Sequence, residues 1–281
     1  DASMPVGGDG RRTVPMIIVA RHPNPHGEIR ILRDRRNGSH VYFQANWYQS
    51  HADRSGTSLI GYVHAIFGLL VQTGAKRILV IGGAGGTLGT MLARIGKQVT
   101  MVDVDPGAFK LARKFFALAP EVECHVADGR AFLARTRARF DAIVVDAFFR
   151  NIPPRQLCTA EFFALARRRL KPQGCILFNA IVAEDDDPIA DQVAAGMVKA
   201  GLPACILDTW GEDDRNAIVV AGFVGRLKRP ALLMRPEIMA DDIAEELRGM
   251  KFRARRDIDP IHDDVPPSPC PRGRARPRSR R

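Results

Sequence analysis

Three aspartates stand at the ends of β-like runs in this chain, and a glycine cluster ends a fourth. Ile78-Leu79-Val80-Ile81 breaks into Gly82-Gly83-Ala84-Gly85-Gly86-Thr87. Val99-Thr100-Met101-Val102 ends in Asp103, 21 residues beyond Gly82. Asp128-Gly129 follows a third run, and Phe140-Asp141-Ala142-Ile143-Val144-Val145 ends in Asp146. Each type suits a distinct task. Gly82, Gly83 and Gly85 let a ligand approach the backbone, and the N–H groups of the following helix start can meet an anionic or carbonyl group. Asp103 can accept from both hydroxyls of a ribose. Asp128 can accept from an adenine amino group while the Gly129 N–H donates to the ring; equally, Asp128 is a turn residue and helix cap. Asp146 tips an almost wholly apolar strand ahead of Pro153-Pro154, which packing explains poorly, so it reads as the catalytic carboxylate. Asp105 precedes Pro106 and reads first as an N-cap. Gln49 and Asn179 are weaker candidates, since buried amides satisfying loops explain them equally. No nucleophile–His–Asp arrangement stands out, and no metal-ligand spacing is visible.

The elements that must position these groups follow from periodicity. Apolar spacing of three and four through Ile60, Val63, Ile66, Phe67 and Leu70 predicts a helix over 59–71, opened by Thr57 or Ser58. Strands are expected near 77–82, 98–103, 122–127, 141–146, 174–180, 204–208 and 216–223. Helices are expected near 87–95, 107–118, 129–136, 159–170, 187–200 and 238–249. Such alternation implies an α/β Rossmann-like sheet of seven strands, mostly parallel, with helices on both faces. The last two strands have no room for a helix between them and should pair antiparallel. That ending is characteristic of the class I methyltransferase-like fold. Ahead of it, Ile29 to Leu32 and Val41 to Phe43 flank the turn dipeptide Asn37-Gly38. The expected organisation is a disordered 1–13, an N-terminal β-hairpin module at 14–54, a nucleoside-binding catalytic domain at 55–252 and a basic, disordered tail at 253–281.

Bulk numbers limit the remaining choices. The chain has 281 residues, 46% of them hydrophobic, enough for a substantial core. No apolar stretch approaches the roughly 18 residues of a membrane span, so no membrane is expected. Five scattered cysteines without a CxxC pair read as buried, reduced thiols of a cytoplasmic protein. Of the net charge of +11, six arginines sit in 265–281 without an acid; the rest holds 36 basic against 31 acidic residues. This run offers either a solvated end or a loose, salt-sensitive contact with nucleic acid or an acidic partner. It has no aromatic residue on which bases could stack.

Taken together, the blocks resemble the spermidine synthase family of polyamine aminopropyltransferases, and more closely its divergent bacterial spermidine-synthase-like members. The resemblance covers roughly 29–225. It rests on Ile81 to Leu88, Val102-Asp103-Val104-Asp105-Pro106, Asp128 to Leu133 and Phe140 to Phe148, and continues through Ile152-Pro153, Leu157-Cys158-Thr159 and Glu161-Phe162-Phe163. It implies an adenosyl sulfonium donor, either decarboxylated S-adenosylmethionine or S-adenosylmethionine itself, with no permanently bound cofactor. By resemblance Asp103 is the ribose-binding acid, Asp128 and Gly129 the adenine pair, and Asp146 the carboxylate handling an amine acceptor. A homodimer is expected on the same basis.

Three departures bear on function. The family carries an Asp in the glycine loop, where this chain has Ala84-Gly85-Gly86. It carries a second Asp three residues after the first catalytic one, where this chain has Phe149. Its Asp-Glu pair ahead of the helix is replaced by Gln49-Ser50-His51-Ala52-Asp53. A buried ammonium without a paired carboxylate costs several kcal/mol, so Asp146 alone is a thin provision for a donor ammonium plus a diamine. The expectation is aminopropyl transfer to an amine. Methyl transfer to an unidentified acceptor, or a non-catalytic nucleoside-binding domain, are the alternatives.

Overall fold

The computed structural model describes residues 16–222 and 225–264; the stretch 1–13 and the arginine-rich run 265–281 lie outside the described residues. Two sheets organise the chain. The first is an antiparallel meander of β1 (Met16–His22), β2 (Ile29–Asp34), β3 (His40–Gln44) and β4 (Trp47–Ala52). The N-terminal module is thus four strands and not a single hairpin. The Asn37-Gly38 turn is present, with Gly38 at φ +75° and its N–H donating to Asp34 O at 2.9 Å. The second turn was hidden in sequence. Ala45 and Asn46 both take positive φ, 50° and 70°, the geometry that closes a two-residue hairpin, although neither is glycine.

The second sheet follows α1 (Gly61–Thr73) and contains β5 (Arg77–Ile81), β6 (Gln98–Asp103), β7 (Glu123–Val126), β8 (Phe140–Val145), β9 (Leu170–Val182), β10 (Ala204–Asp208), β11 (Arg215–Gly222) and β12 (Lys251–Arg253). Its order is β12-β10-β11-β9-β8-β5-β6-β7. Strands β7, β6, β5, β8 and β9 run parallel, while β11 pairs antiparallel with both β9 and β10. The connecting helices are α2 (Thr87–Arg94), α3 (Ala108–Phe115), α4 (Gly129–Arg135), α5 (Ala160–Arg168), α6 (Ile189–Lys199) and α7 (Ala240–Gly249).

Alternation along each strand feeds two cores. Ile78, Val80, Val144 and Leu177 pack with Ile66, Leu70, Met91 and Leu247 on one face. Leu79, Ile81, Val145 and Phe178 pack with Leu133, Phe162, Phe163 and Met197 on the other. Side chains of a strand alternate sides, so these nearly continuous apolar runs require cover above and below. The mixed α/β, mostly parallel sheet with helices on both faces is the architecture that the alternation requires.

The short eighth strand, β12, departs from the seven expected, and the stretch that follows it to 264 departs from a disordered tail, because both are tied to the body. Arg253 donates from Nη1 to Asp191 at 2.9 Å and from Nε to Asp208 at 2.8 Å. Asp208 also takes Arg215 Nε at 2.7 Å, and Asp191 takes Arg256 Nε at 2.9 Å. Asp191 and Asp208 are buried. Further along, Ala160 N–H donates to Ile261 O at 2.9 Å, and Arg130 grips Asp263 through two bonds of 2.8 and 2.5 Å. The composition of this segment looks like that of a solvated tail. Arg253 and Arg256 are instead committed to carboxylates of the body that lie far off in sequence, while Arg255 pairs locally with Asp257.

Candidate active site

Strand order reverses between β5 and β8, the place where open α/β sheets form a ligand crevice. Ile81 pairs with Val102 on one side and Val145 on the other. The next residues, Gly82, Asp103 and Asp146, therefore emerge side by side at the carboxyl ends of three adjacent strands. A cleft of about 330 Å³ opens there, lined by Gln49, Gly82, Gly83, Asp103, Asp128, Gly129 and Asp146. The N-terminal sheet roofs it through Asn24, His26 and Gln44. A small extension between the glycine turn and α1 is lined by Ser50, Tyr62, Ala84, Gly86 and Thr87. Gly85 faces Ser50 behind the turn and is absent from the main cleft wall.

The glycine turn is held tightly. Gly82 has φ +101°, and a Cβ there would fall 2.0 Å from the Asp146 carbonyl oxygen. Gly82→Ala is thus expected to lower stability by about 1–3 kcal/mol through strained φ and overpacking, together with loss of ligand binding. A thermal melt beside a nucleoside titration checks this; an unshifted melt with normal binding would contradict the turn's tightness. The Gly83 N–H donates to Asp103 Oδ2 at 2.6 Å, and the Asp105 N–H donates to Asp103 Oδ1 at 2.8 Å. Burial raises the Asp103 carboxyl above its ordinary range, while those two N–H bonds pull the other way. Each oxygen retains a second lone pair for a ligand hydroxyl.

The N-cap of α3 is Gly107 and not Asp105, whose side chain instead closes a turn just ahead of the helix: its Oδ1 accepts from the Gly107 N–H at 2.8 Å, and its Oδ2 accepts from Tyr42 Oη at 3.5 Å. Asp128 does cap, accepting from the Ala131 N–H at 2.8 Å at the start of α4. Capping uses one oxygen of Asp128, and the residue still lines the cleft, so the cap leaves the other oxygen for a ligand. Gly129 sits close to the sheet, where a Cβ would meet Ile81 Cγ2 at 2.3 Å.

Asp146 has the most developed surroundings. Tyr62 Oη donates to its Oδ2 at 3.3 Å, and Asn179 Nδ2 donates to its Oδ1 at 2.9 Å. Asn216 Nδ2 donates in turn to Asn179 Oδ1 at 2.9 Å. That last bond fixes which end of the Asn179 amide faces the carboxylate. Burial raises the Asp146 carboxyl, and the Asn179 and Tyr62 bonds oppose the rise. Burial next to this carboxylate also holds the Tyr62 phenol well above its usual range, so it stays a donor. Such a carboxylate can orient an amine and take its proton.

Tyr62 was read in sequence only as a helix residue, and Asn216 was not singled out. Nor were His26 and Arg150, which line the cleft beside Phe149, the position where the family's second Asp is missing. Their partners come from other elements, so no local spacing marks them. Among the described residues there is no cluster of His, Cys, Asp and Glu able to hold a metal ion. The described cysteines Cys124, Cys158, Cys175 and Cys205 are free. No described helix is long and apolar enough to cross a membrane.

Residues 62–197 match the spermine/spermidine synthase domain. An N-terminal histidine N-methyltransferase from Emericella nidulans is 26% identical over 85% of this chain and 46% of its own length. A polyamine aminopropyltransferase from a Synechococcus strain is 30% identical over 58% of this chain and 56% of its own. The chain spans about half the length of these curated relatives. A probable spermidine synthase from Corynebacterium glutamicum superposes with a TM-score of 0.72 at 21% identity, over 91% of this chain and all of that one. At that identity the superposition establishes the fold.

Proposed function

We propose that this chain, a spermidine-synthase-like family member with a methyltransferase-like fold, is a transferase moving an alkyl group from an adenosyl sulfonium to an amine. The observation that carries the reading is Asp146, a carboxylate held by Tyr62 and Asn179 in the same cleft as Asp103. Asp103 holds the ribose, and Asp128 with Gly129 borders the adenine. The glycine turn passes beneath the sulfonium, with Gln49 on the opposite wall.

The sulfonium carbon is already electrophilic, so the protein's work is alignment. The amine lone pair attacks that carbon and forms the C–N bond. The C–S bond breaks, its electron pair stays on sulfur, and a neutral thioether leaves. The new ammonium gives a proton to the Asp146 carboxylate. Tyr62 and Asn179 keep that carboxylate facing the amine and favour its charged form.

Aminopropyl is the group moved by the family's polyamine enzymes and is the first assignment here. Methyl is the second, and one observation favours it. The extension behind the glycine turn is lined by Ser50, Ala84, Gly86 and Thr87, with Asp146 as its one carboxylate. A donor ending in an ammonium finds little there, whereas a donor ending in a carboxylate meets no further acid. The relative named as a methyltransferase is consistent with this second assignment.

Calorimetry and product mass spectrometry with both sulfonium donors test the proposal. Binding and turnover of the decarboxylated donor support aminopropyl transfer. Preference for the carboxylated donor replaces aminopropyl by methyl. Binding of neither removes the transferase assignment altogether.

A further inference from the structure

The mouth of the cleft carries information about the acceptor, and it rests on the transferase reading above. Four carboxylates border the cleft: Asp103, Asp105, Asp128 and Asp146. Three have structural bonds away from the amine position. Asp103 accepts from two backbone N–H groups, Asp105 accepts from the Gly107 N–H and Tyr42 Oη, and Asp128 caps α4 through the Ala131 N–H. Asp146, whose oxygens also accept from Tyr62 and Asn179, is the one of the four that lines the extension behind the glycine turn as well, and it is the one the transferase reading assigns to the amine.

Beyond Asp146 the wall changes character. Phe149 lines the cleft and is 43% exposed, a large fraction for an aromatic ring. His26 from the N-terminal sheet meets it edge-on, with ring centres 5.2 Å apart. The Arg150 guanidinium lies 5.2 Å from the Phe149 ring centre and also borders the cleft. The loop is pinned in this shape by Arg150 and Asn151 at positive φ and by paired backbone bonds between Phe149 and Ile152 of 2.9 and 3.1 Å. An acceptor amine bound at Asp146 therefore extends toward two aromatic rings and a fixed positive charge.

A second ammonium at that place would lack a carboxylate and face a guanidinium of like charge. A flat apolar ring would meet ring faces and edges in favourable geometry. We propose that the acceptor is an amine with a single amino group and an aromatic body, not a linear diamine or polyamine.

The test uses the full chain saturated with methylthioadenosine or S-adenosylhomocysteine, titrated calorimetrically with phenethylamine and with putrescine. Phenethylamine is expected to bind about tenfold more tightly, the size of one good aromatic contact. Phe149→Asp, which adds a carboxylate at the mouth, should reverse the order. Phe149→Ala should weaken phenethylamine without strengthening putrescine. Both substitutions lie on an exposed loop, and a melt equal to the unsubstituted protein's confirms that each has folded. Equal binding of the two amines, tighter putrescine, or binding of neither overturns the inference while leaving the nucleoside reading intact. Failure of both nucleosides to bind sinks the transferase reading, and this inference with it.

Discussion

Asp146→Asn is expected to lower turnover by about a hundredfold to ten-thousandfold, the range of a lost general base, while adenosyl binding stays within a small factor. The substitution keeps the shape but turns one acceptor into an amide N–H₂. That group would then face Tyr62 Oη or Asn179 Nδ2, each of which donates to the native carboxylate. The pH profile gives a second readout. A carboxyl raised by burial holds its proton to a higher pH than the ordinary 3.8. Wild-type turnover should rise as pH increases through that raised value, because the charged form accepts the amine proton. The variant should lack this limb. Turnover equal to wild type would remove Asp146 from the mechanism, whatever the nucleoside affinity.

Arg253→Ala is the substitution expected to cost most stability. It strips a partner from Asp191 and Asp208 at once, carboxylates whose side chains are 0% and 1% exposed. Removing one member of a buried ion pair costs about 3–5 kcal/mol. For a domain of this size the melting point should fall by roughly 10 °C. Burial alone would raise both carboxyls, but the arginine bonds outweigh it and hold them below 3.8. The sign follows from linkage: native carboxyls more acidic than unfolded ones contribute stability that is complete above 3.8. That contribution fades as pH falls through the depressed native values. The variant's deficit should be present at neutral pH and shrink below 3.8. Differential scanning calorimetry across pH would show it; an unchanged melt at neutral pH would contradict the network's role.

The strands and helices of the main sheet were legible because each had a local signal. Residues 98–103 and 204–208 form the strands expected there, and the boundaries of β5, β8 and α4 shift by about one residue. Strand β9 runs from Leu170 to Val182, longer at both ends than the expected 174–180, because Phe140↔Leu170 and Arg215↔Val182 pairings extend it. Within the expected N-terminal β module, β1 and β4 had no ranges of their own: neither presents a clean alternation, and their identity comes from neighbours in the meander. The strand-tip residues Gly82, Asp103 and Asp146 were readable because a strand's end is a local event. Which atoms hold Asp146 was not readable. Tyr62 is 84 residues away and Asn179 33, and only the folded sheet brings them together.

Strand β12 has a further consequence at the margin of the sheet. Without it, the outer side of β10 would leave a row of N–H and C=O groups open to any extended peptide. With three residues, two of them Lys251 and Arg253, β12 covers that row and offers a poor template itself. Strand β7 at the opposite margin has four residues and carries Glu123 and His125. Both borders of the main sheet are too short and too charged to recruit a neighbouring ribbon, so this sheet should not propagate between copies by lateral backbone pairing.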